Sequence, residues 1–77
     1  MQVQFELTDL YQGQANYSWV NRGKIDVPEN ATDVYIMRKV KQKLGITGIR
    51  CRVSRFGDMW EFRISHSAVI GFVTFGE

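Results

Sequence analysis

The chain has 77 residues, of which 44% are hydrophobic and 23% are charged, and its net charge is +2. This length predicts a single domain spanning residues 1–77, and the composition excludes a disordered chain. The single cysteine excludes an internal disulfide framework, and the sequence has neither a signal peptide nor an apolar run of about 18 residues. We therefore expect a cytoplasmic protein that does not cross a membrane.

Two strands are predicted before the first proline. Apolar and polar residues alternate through 2–8, which is typical of a half-buried strand. The polar segment 9–15 predicts a hairpin connection, and a second strand follows from about Asn16. This strand is either one long strand with a bulge at Gly23 or two short strands, and Pro28 ends it.

Tyr17 and Trp19 lie on the same face of this second strand. We expect them to pack in the core, with Asn16 closing the turn, because a small domain needs large aromatic side chains. In the alternative interpretation they form an exposed aromatic surface. They would then be anchors for a partner protein.

One helix is predicted within residues 30–44. Its apolar residues recur with helical spacing and form one stripe, so the helix should lie flat on the sheet. The stripe contains Ile36, Met37, Val40 and Leu44, with Val34 at its margin. Asn30 or Thr32 can cap the N-terminus, and Gly45 can adopt the left-handed conformation that ends a helix.

A hairpin follows the helix, with a two-residue turn at 57–58, and an apolar run at 69–75 predicts an interior or covered strand. The turn fixes the register of the hairpin. The predicted pairs are Phe56 with Met59, Arg55 with Trp60, Val53 with Phe62 and Cys51 with Ile64.

On its other face, the same hairpin should place Arg52 opposite Arg63 and Ser54 opposite Glu61. Like charges directly opposed cost stability unless Glu61 on the diagonal, or an external anion, compensates them. This conflict indicates a binding surface.

The elements together predict an α+β fold of order β-β-α-β-β-β, with an antiparallel sheet of four or five strands and one helix packed on one face. The strand order is not predicted. The helix stripe should pack on apolar side chains of the sheet. These are Val3, Phe5, Leu7, Val53, Phe62, Ile64 and Phe72.

The charges are unevenly distributed along the chain. Seven basic and no acidic residues lie between Arg38 and Arg55, whereas the remainder of the chain has three basic and eight acidic residues. We expect a basic face shared by the helix and the hairpin, which would bind a partner. Its predicted members are Lys39, Lys43, Arg50, Arg52 and Arg63, with Tyr17, Trp19 and Trp60 as aromatic anchors.

No catalytic, metal or cofactor motif is evident. His66 lies between two serines, but neighbouring residues in a strand point to opposite faces, so a nucleophile and a base would not meet. Cys51 is expected to be a buried structural thiol, and one cysteine with one histidine cannot form a zinc site within a monomer. We expect Asp58 and Glu61 to be solvated charges, and we expect neither enzymatic activity nor a cofactor or small-molecule substrate.

The segment 13–22, Gly-Gln-Ala-Asn-Tyr-Ser-Trp-Val-Asn-Arg, resembles a motif of small uncharacterised proteins encoded by bacteriophages and prophages, Gly-Gly-Glu-Ala-Asn-Tyr-x-Trp-Val-Arg-Arg. Segment 44–51, the turn at 57–58 and the apolar C-terminal run are similar to that family too. The chain departs from the motif at three positions, Gln12, Gln14 and Asn21. The resemblance implies a phage origin and action inside a bacterium, without an assigned activity.

Three functional hypotheses follow. The first is an accessory protein that binds a host or phage protein stoichiometrically, for example an anti-CRISPR or anti-restriction inhibitor of host defence. The second is a nucleic-acid-binding module that uses the basic face on phosphates. The third is a phage structural or assembly component, in which the apolar last strand would pair between copies if it lay at a sheet edge.

Overall fold

The computed structural model describes residues 1–75 and contains one antiparallel sheet with a single helix packed on it. The elements are β1 (Gln2–Tyr11), β2 (Gln14–Asp26), α1 (Asp33–Leu44), β3 (Cys51–Phe56), β4 (Met59–Ile64) and β5 (Val69–Phe75). The five strands lie in the order β2-β1-β5-β4-β3. The predicted α+β fold and its element order are therefore confirmed, and β5 joins two hairpins by pairing with β1 and β4.

The helix begins and ends where its capping residues place it. The hydroxyl oxygen of Thr32, the second of the two predicted caps, accepts a hydrogen bond from the Tyr35 backbone N–H at 3.1 Å. Gly45 adopts a left-handed conformation with φ of 75°. The N–H of Ile46 then bonds to the carbonyl of Lys41 at 2.9 Å, which closes the last turn. Within residues 1–75, no helix is long and apolar enough to cross a membrane.

The core lies between α1 and the sheet surface that it covers, which we call the helix face; the opposite surface is the open face. The predicted stripe of Ile36, Met37, Val40 and Leu44 is buried, whereas Val34 is 68% exposed. The stripe belongs to one apolar cluster with side chains of three strands. These include Val3, Phe5, Leu7, Trp60, Phe62 and Val73.

The predicted core was wrong for one residue, Phe72. Phe72 lies on the open face, where it is paired with Glu6 of β1 and Glu61 of β4, and its neighbour Val73 packs in the core instead. Because β5 is apolar on both faces, the two-residue period alone could not decide which side faces the helix.

Two glycines make room for aromatic rings of the adjacent strands. A Cβ atom on Gly71 would lie 2.0 Å from Cζ of Phe62, and one on Gly23 would lie 2.6 Å from Cζ of Phe5. Gly23 does not form the bulge considered above, because β2 pairs with β1 in regular register through this position. The glycine instead accommodates the Phe5 ring, so β2 is one long strand.

The turns of the β1–β2 and β3–β4 hairpins each contain two residues. Gln12 and Gly13 connect β1 to β2 with φ of 53° and 81°, so this connection is tighter than the predicted 9–15 segment. In the β3–β4 hairpin every predicted pair is confirmed, including Arg52 opposite Arg63. Because β5 is central rather than at an edge, it is not available for pairing between copies.

Candidate protein-binding surface

The β1–β2 hairpin contains a large irregularity close to its turn. Thr8 pairs with Val20, but the next regular pair joins Leu10 to Ala15. Asp9 therefore lies opposite four residues of β2, residues 16–19, which we call the bulge. The bulge coincides with the Asn-Tyr-x-Trp part of the motif considered above.

The carboxylate of Asp9 holds the bulge from across the hairpin. It accepts hydrogen bonds from Nδ2 of Asn16 at 2.9 Å, from the Ser18 N–H at 3.0 Å and from the Ser18 hydroxyl at 2.7 Å. The hydrogen bonds from the Ser18 and Asn16 side chains keep the pKa of Asp9 well below its usual range. Asp9 is therefore an anionic anchor for the bulge at neutral pH.

The hydroxyl of Thr8 satisfies the backbone groups that the bulge removes from the strand ladder. Thr8 is fully buried, and its Oγ1 accepts from the Tyr17 N–H at 3.1 Å. Oγ1 also lies 2.7 Å from the Trp19 carbonyl oxygen and 3.2 Å from Oδ1 of Asp9. The Thr8 hydroxyl has a single proton, and it donates this proton to the Trp19 carbonyl oxygen, which is the closer acceptor. Sequence analysis missed both Thr8 and Asp9, because the residues they bond in β2 lie seven to eleven positions further along the chain.

Tyr17 adopts an uncommon conformation within the bulge. Its φ of 57° lies in the left-handed region, which is costly for a bulky residue without compensating contacts. Its hydroxyl donates a hydrogen bond to the Glu6 carboxylate, which also accepts from Nε of Arg22 at 3.0 Å. The Tyr17 side chain therefore extends along β1 from Thr8 to Glu6, and the hydrogen bond to Glu6 raises the pKa of the Tyr17 hydroxyl.

The bulge presents its apolar side chains to solvent. Tyr17 and Trp19 are 46% and 44% exposed, and Val20, which directly follows the bulge, is 41% exposed. The expectation that Tyr17 and Trp19 pack in the core was wrong, because the bulge interrupts the two-residue period on which it depended. The alternative interpretation, an exposed aromatic surface, describes these two residues.

The third predicted anchor, Trp60, is part of the core and is only 6% exposed. Its ring packs edge-on against Phe75 with the centroids 4.7 Å apart, and the guanidinium of Arg55 lies 5.1 Å from its centroid. Because β4 points this side chain toward the helix face, Trp60 cannot serve as a surface anchor.

The structure does not bring the predicted basic residues together on one face. Lys39 and Lys43 lie on α1, where they line a shallow cavity with Lys24 and Asp26 at the β2 side of the molecule. Arg52 and Arg63 lie on the open face, because they alternate with side chains that pack under the helix. The expected shared basic face is therefore divided by the sheet.

The remaining predicted residues of that face lie around the β3–β4 hairpin. Arg63 donates from Nε to Glu61 at 3.0 Å and from Nη2 to the carbonyl of Gly13 at 3.4 Å. Arg50 immediately precedes β3, and its carbonyl accepts from the Ser65 N–H at 3.2 Å. Glu61 thus forms an ion pair with one of the two opposed arginines, while Arg52 stays exposed.

The side chains considered for catalysis are not arranged as a site. His66 lies in the turn between β4 and β5 with φ of 60°, and it is exposed. Cys51 is half-buried; burial raises the pKa of its thiol, which therefore stays protonated at neutral pH. In the part of the chain that the structure describes, no group of three or more His, Cys, Asp or Glu residues could hold a metal ion.

Comparison of the chain with protein-family models, with curated proteins and with solved structures gave no match.

Proposed function

We propose that this chain is a non-enzymatic accessory protein of phage or prophage origin, which acts by stoichiometric binding to a host or phage protein. An inhibitor of host defence, of the anti-CRISPR or anti-restriction type, fits this description. The observation that supports the proposal is the bulge, where Tyr17 and Trp19 are exposed beside Val20 on a backbone that Thr8 and Asp9 hold in place.

A fixed aromatic pair is well suited to protein recognition. Tryptophan and tyrosine are enriched among the residues that contribute most to the binding energy of interfaces. Because the hydrogen bonds of Asp9 and Thr8 order the bulge before any partner arrives, less conformational entropy is lost on binding. The left-handed Tyr17 is consistent with a functional role, since backbone strain concentrates at such sites.

Polar groups surround this apolar centre. Glu6 and Arg22 form an ion pair beside the Tyr17 hydroxyl, and Asp9 lies on the other side of the bulge. An apolar centre with a polar rim is the usual composition of a protein–protein interface. The surface is therefore better suited to a folded protein than to a small molecule.

Nucleic-acid binding has less support. A phosphate-binding surface requires several cations on one side of the molecule, whereas Lys39 and Lys43 of α1 are separated by the sheet from Arg52 and Arg63 of the open face. Trp60, which could have stacked on a base, is buried.

Affinity capture from a nuclease-treated lysate of the bacterial host tests the proposal. The tagged wild type and two alanine variants are compared, Trp19→Ala in the bulge and Phe56→Ala as the control. Phe56 is a suitable control because, like Trp19, it is an exposed aromatic residue of the sheet; its exposed fraction is 56%. Far-ultraviolet circular dichroism verifies that each variant is folded.

We expect one host or phage protein to be recovered with the wild type and with Phe56→Ala. Trp19→Ala should weaken the purified complex by about 30-fold, the loss typical of a central aromatic residue. Recovery that is unchanged in Trp19→Ala would contradict the proposal. Loss of all binding partners after nuclease treatment, with an affinity that falls steeply as salt rises, would identify a nucleic-acid-binding module instead.

A further inference from the structure

We propose that the free edge of β3 is a second interaction surface, which binds an extended acidic segment of a partner protein as an added strand. This surface lies at the opposite end of the sheet from the bulge. The proposal does not depend on the function assigned to the bulge.

The backbone of β3 has unpaired hydrogen-bonding groups at this edge. The hydrogen bond from the Ser65 N–H to the Arg50 carbonyl fixes which residues of the strand bond to β4. In an antiparallel pair these residues alternate, so Arg52 and Ser54 bond to β4. Val53 and Arg55 therefore direct their N–H and C=O groups away from β4, to an edge that no other strand of residues 1–75 covers.

A groove lies between this edge and the helix. It encloses about 530 Å³ and is lined on one side by α1 and on the other by β3. Its lining includes Val34, Met37, Arg38, Lys41, Val53 and Arg55. Val34 is 68% exposed although it lies beside the apolar stripe, because the sheet ends at β3 before reaching it.

An additional strand would fill this groove. A strand paired with β3 would extend the sheet by about 4.8 Å, and every second side chain would point toward Val34 and Met37. Main-chain hydrogen bonds to Val53 and Arg55 would supply affinity, and the groove would select apolar residues at alternate positions. A segment of about six residues matches the six residues of β3.

The charge of the edge selects an acidic partner. Arg38 and Lys41 line the groove, Arg50 directly precedes β3 and Arg52 lies within it, whereas no acidic residue occurs between positions 38 and 55. Asp33, the acidic residue in the groove lining, is 3.1 Å from Nε of Arg55 and forms an ion pair with it. Carboxylates on the open-face side of an added strand would therefore lie beside Arg52, and the cations of the groove would add to the positive potential of the edge.

A second copy of this chain fits the edge poorly. Two β3 strands paired edge to edge would bring their arginines close together, and like charges opposed across strands destabilise a sheet. Charged residues at an edge are also a common means by which proteins prevent self-pairing. The arginines thus disfavour a second copy and favour an acidic segment.

Titration with a designed peptide tests the proposal. The probe is a blocked peptide of alternating glutamate and valine, about seven residues long, added to the nitrogen-15-labelled full chain. In an antiparallel pairing with β3, valines that face the groove lie opposite Val53, so their N–H groups point at β3. Methylating the valine nitrogens should abolish binding, whereas methylating the glutamate nitrogens, which point away, should change the affinity by less than about threefold.

Two double variants test the charge contribution. Arg38→Glu with Arg52→Glu should weaken peptide binding by at least about tenfold. Lys39→Glu with Lys43→Glu makes the same change of charge on the β2 side of the helix, and should have an effect of less than about threefold. Trp19→Ala should leave the titration unchanged, which separates this proposal from that for the bulge.

We expect amide shifts at Val53 and Arg55, and protection of these amides from hydrogen exchange when the peptide is bound. The proposal is overturned if no shifts occur at millimolar peptide, if the two methylated peptides bind equally, or if both double variants lose the same affinity. A dimer of the free chain that already protects these amides would also overturn it, because the occupant would then be a second copy.

Discussion

The two outer strands of the sheet, β2 and β3, expose their edges in opposite ways. Near its first turn β2 is irregular, and the side chains of Thr8 and Asp9 bond to the backbone of the bulge. The short strand β3 pairs in regular register with β4, and its outward groups have no strand beside them. Irregularity protects one edge from unwanted pairing, whereas positive charge protects the other.

This difference indicates two kinds of recognition in one small domain. At the bulge, only side chains are available to contact a partner, because the backbone groups of Tyr17 and Trp19 are hydrogen-bonded to Thr8. At the β3 edge, backbone N–H and C=O groups are available beside a groove, because the strand is regular and no strand pairs with its outer side. The predictions below test whether the two edges are independent, beginning with the change that should affect both.

The largest loss of stability should follow Gly71→Ala in the central strand, on which both edges depend. The new methyl group would overlap the ring of the fully buried Phe62, so we expect the free energy of unfolding to fall by about 3 kcal/mol. Gly23→Ala should cost less, because β2 is an outer strand and the Phe5 ring can shift. Urea denaturation measures both, and an equal or larger loss in Gly23→Ala would contradict the comparison.

Thr8→Val should have the next largest effect. The isosteric side chain keeps the packing but leaves the Tyr17 N–H and the Trp19 carbonyl without their partner, which should cost about 2 kcal/mol. Ser54→Val is the matched change on β3 and should alter stability by less than about 0.5 kcal/mol. If the two variants had the same midpoint of urea denaturation, Thr8 would not be what holds the bulge.

The bulge should also make the free energy of unfolding depend on pH in the acid range. The folded pKa of Asp9 lies below its unfolded value, so the stabilisation is present at neutral pH and is lost as the pH falls below about 4. Asp9→Asn should show a shallower fall of stability with acid than the wild type, and Ser18→Ala an intermediate one. Urea denaturation at several pH values measures these slopes, and identical slopes would rule out this role of Asp9.

The smallest effect should be seen in the titration of Tyr17. Its pKa is raised, so any stabilisation from its bond to Glu6 is present below about pH 10 and is lost as the pH rises through the folded pKa. Glu6→Gln should lower this pKa. The absorbance of tyrosinate measures the titration, and Tyr17→Phe assigns the signal; an unchanged pKa in Glu6→Gln would show that the hydrogen bond does not form in solution.

Most of the fold could be predicted because the deciding signals are local. The glycine in the turn at 57–58 fixes the register in which β3 pairs with β4, and Thr32 and Gly45 fix the ends of the helix. Phe72 could not be assigned to a face because both sides of β5 are apolar. The bulge could not be predicted because it depends on hydrogen bonds between residues seven to eleven positions apart.

The division of the basic face has a geometric cause. In a fold with two layers, the outer side of the helix and the open face of the sheet are opposite surfaces of the molecule. Lys39 and Arg52 were each correctly expected to avoid the core, but the sequence pattern does not tell on which of the two outer surfaces a residue lies.

The central position of β5 has a consequence for how the molecule folds. Strand β5 pairs with β1, so Val3 meets Phe75 although the two residues are 72 positions apart in the sequence. Long-range pairing of this kind slows folding because a large loop must close first. The β1–β2 and β3–β4 hairpins can form early as separate ribbons, and the sheet becomes continuous only when β5 inserts between them.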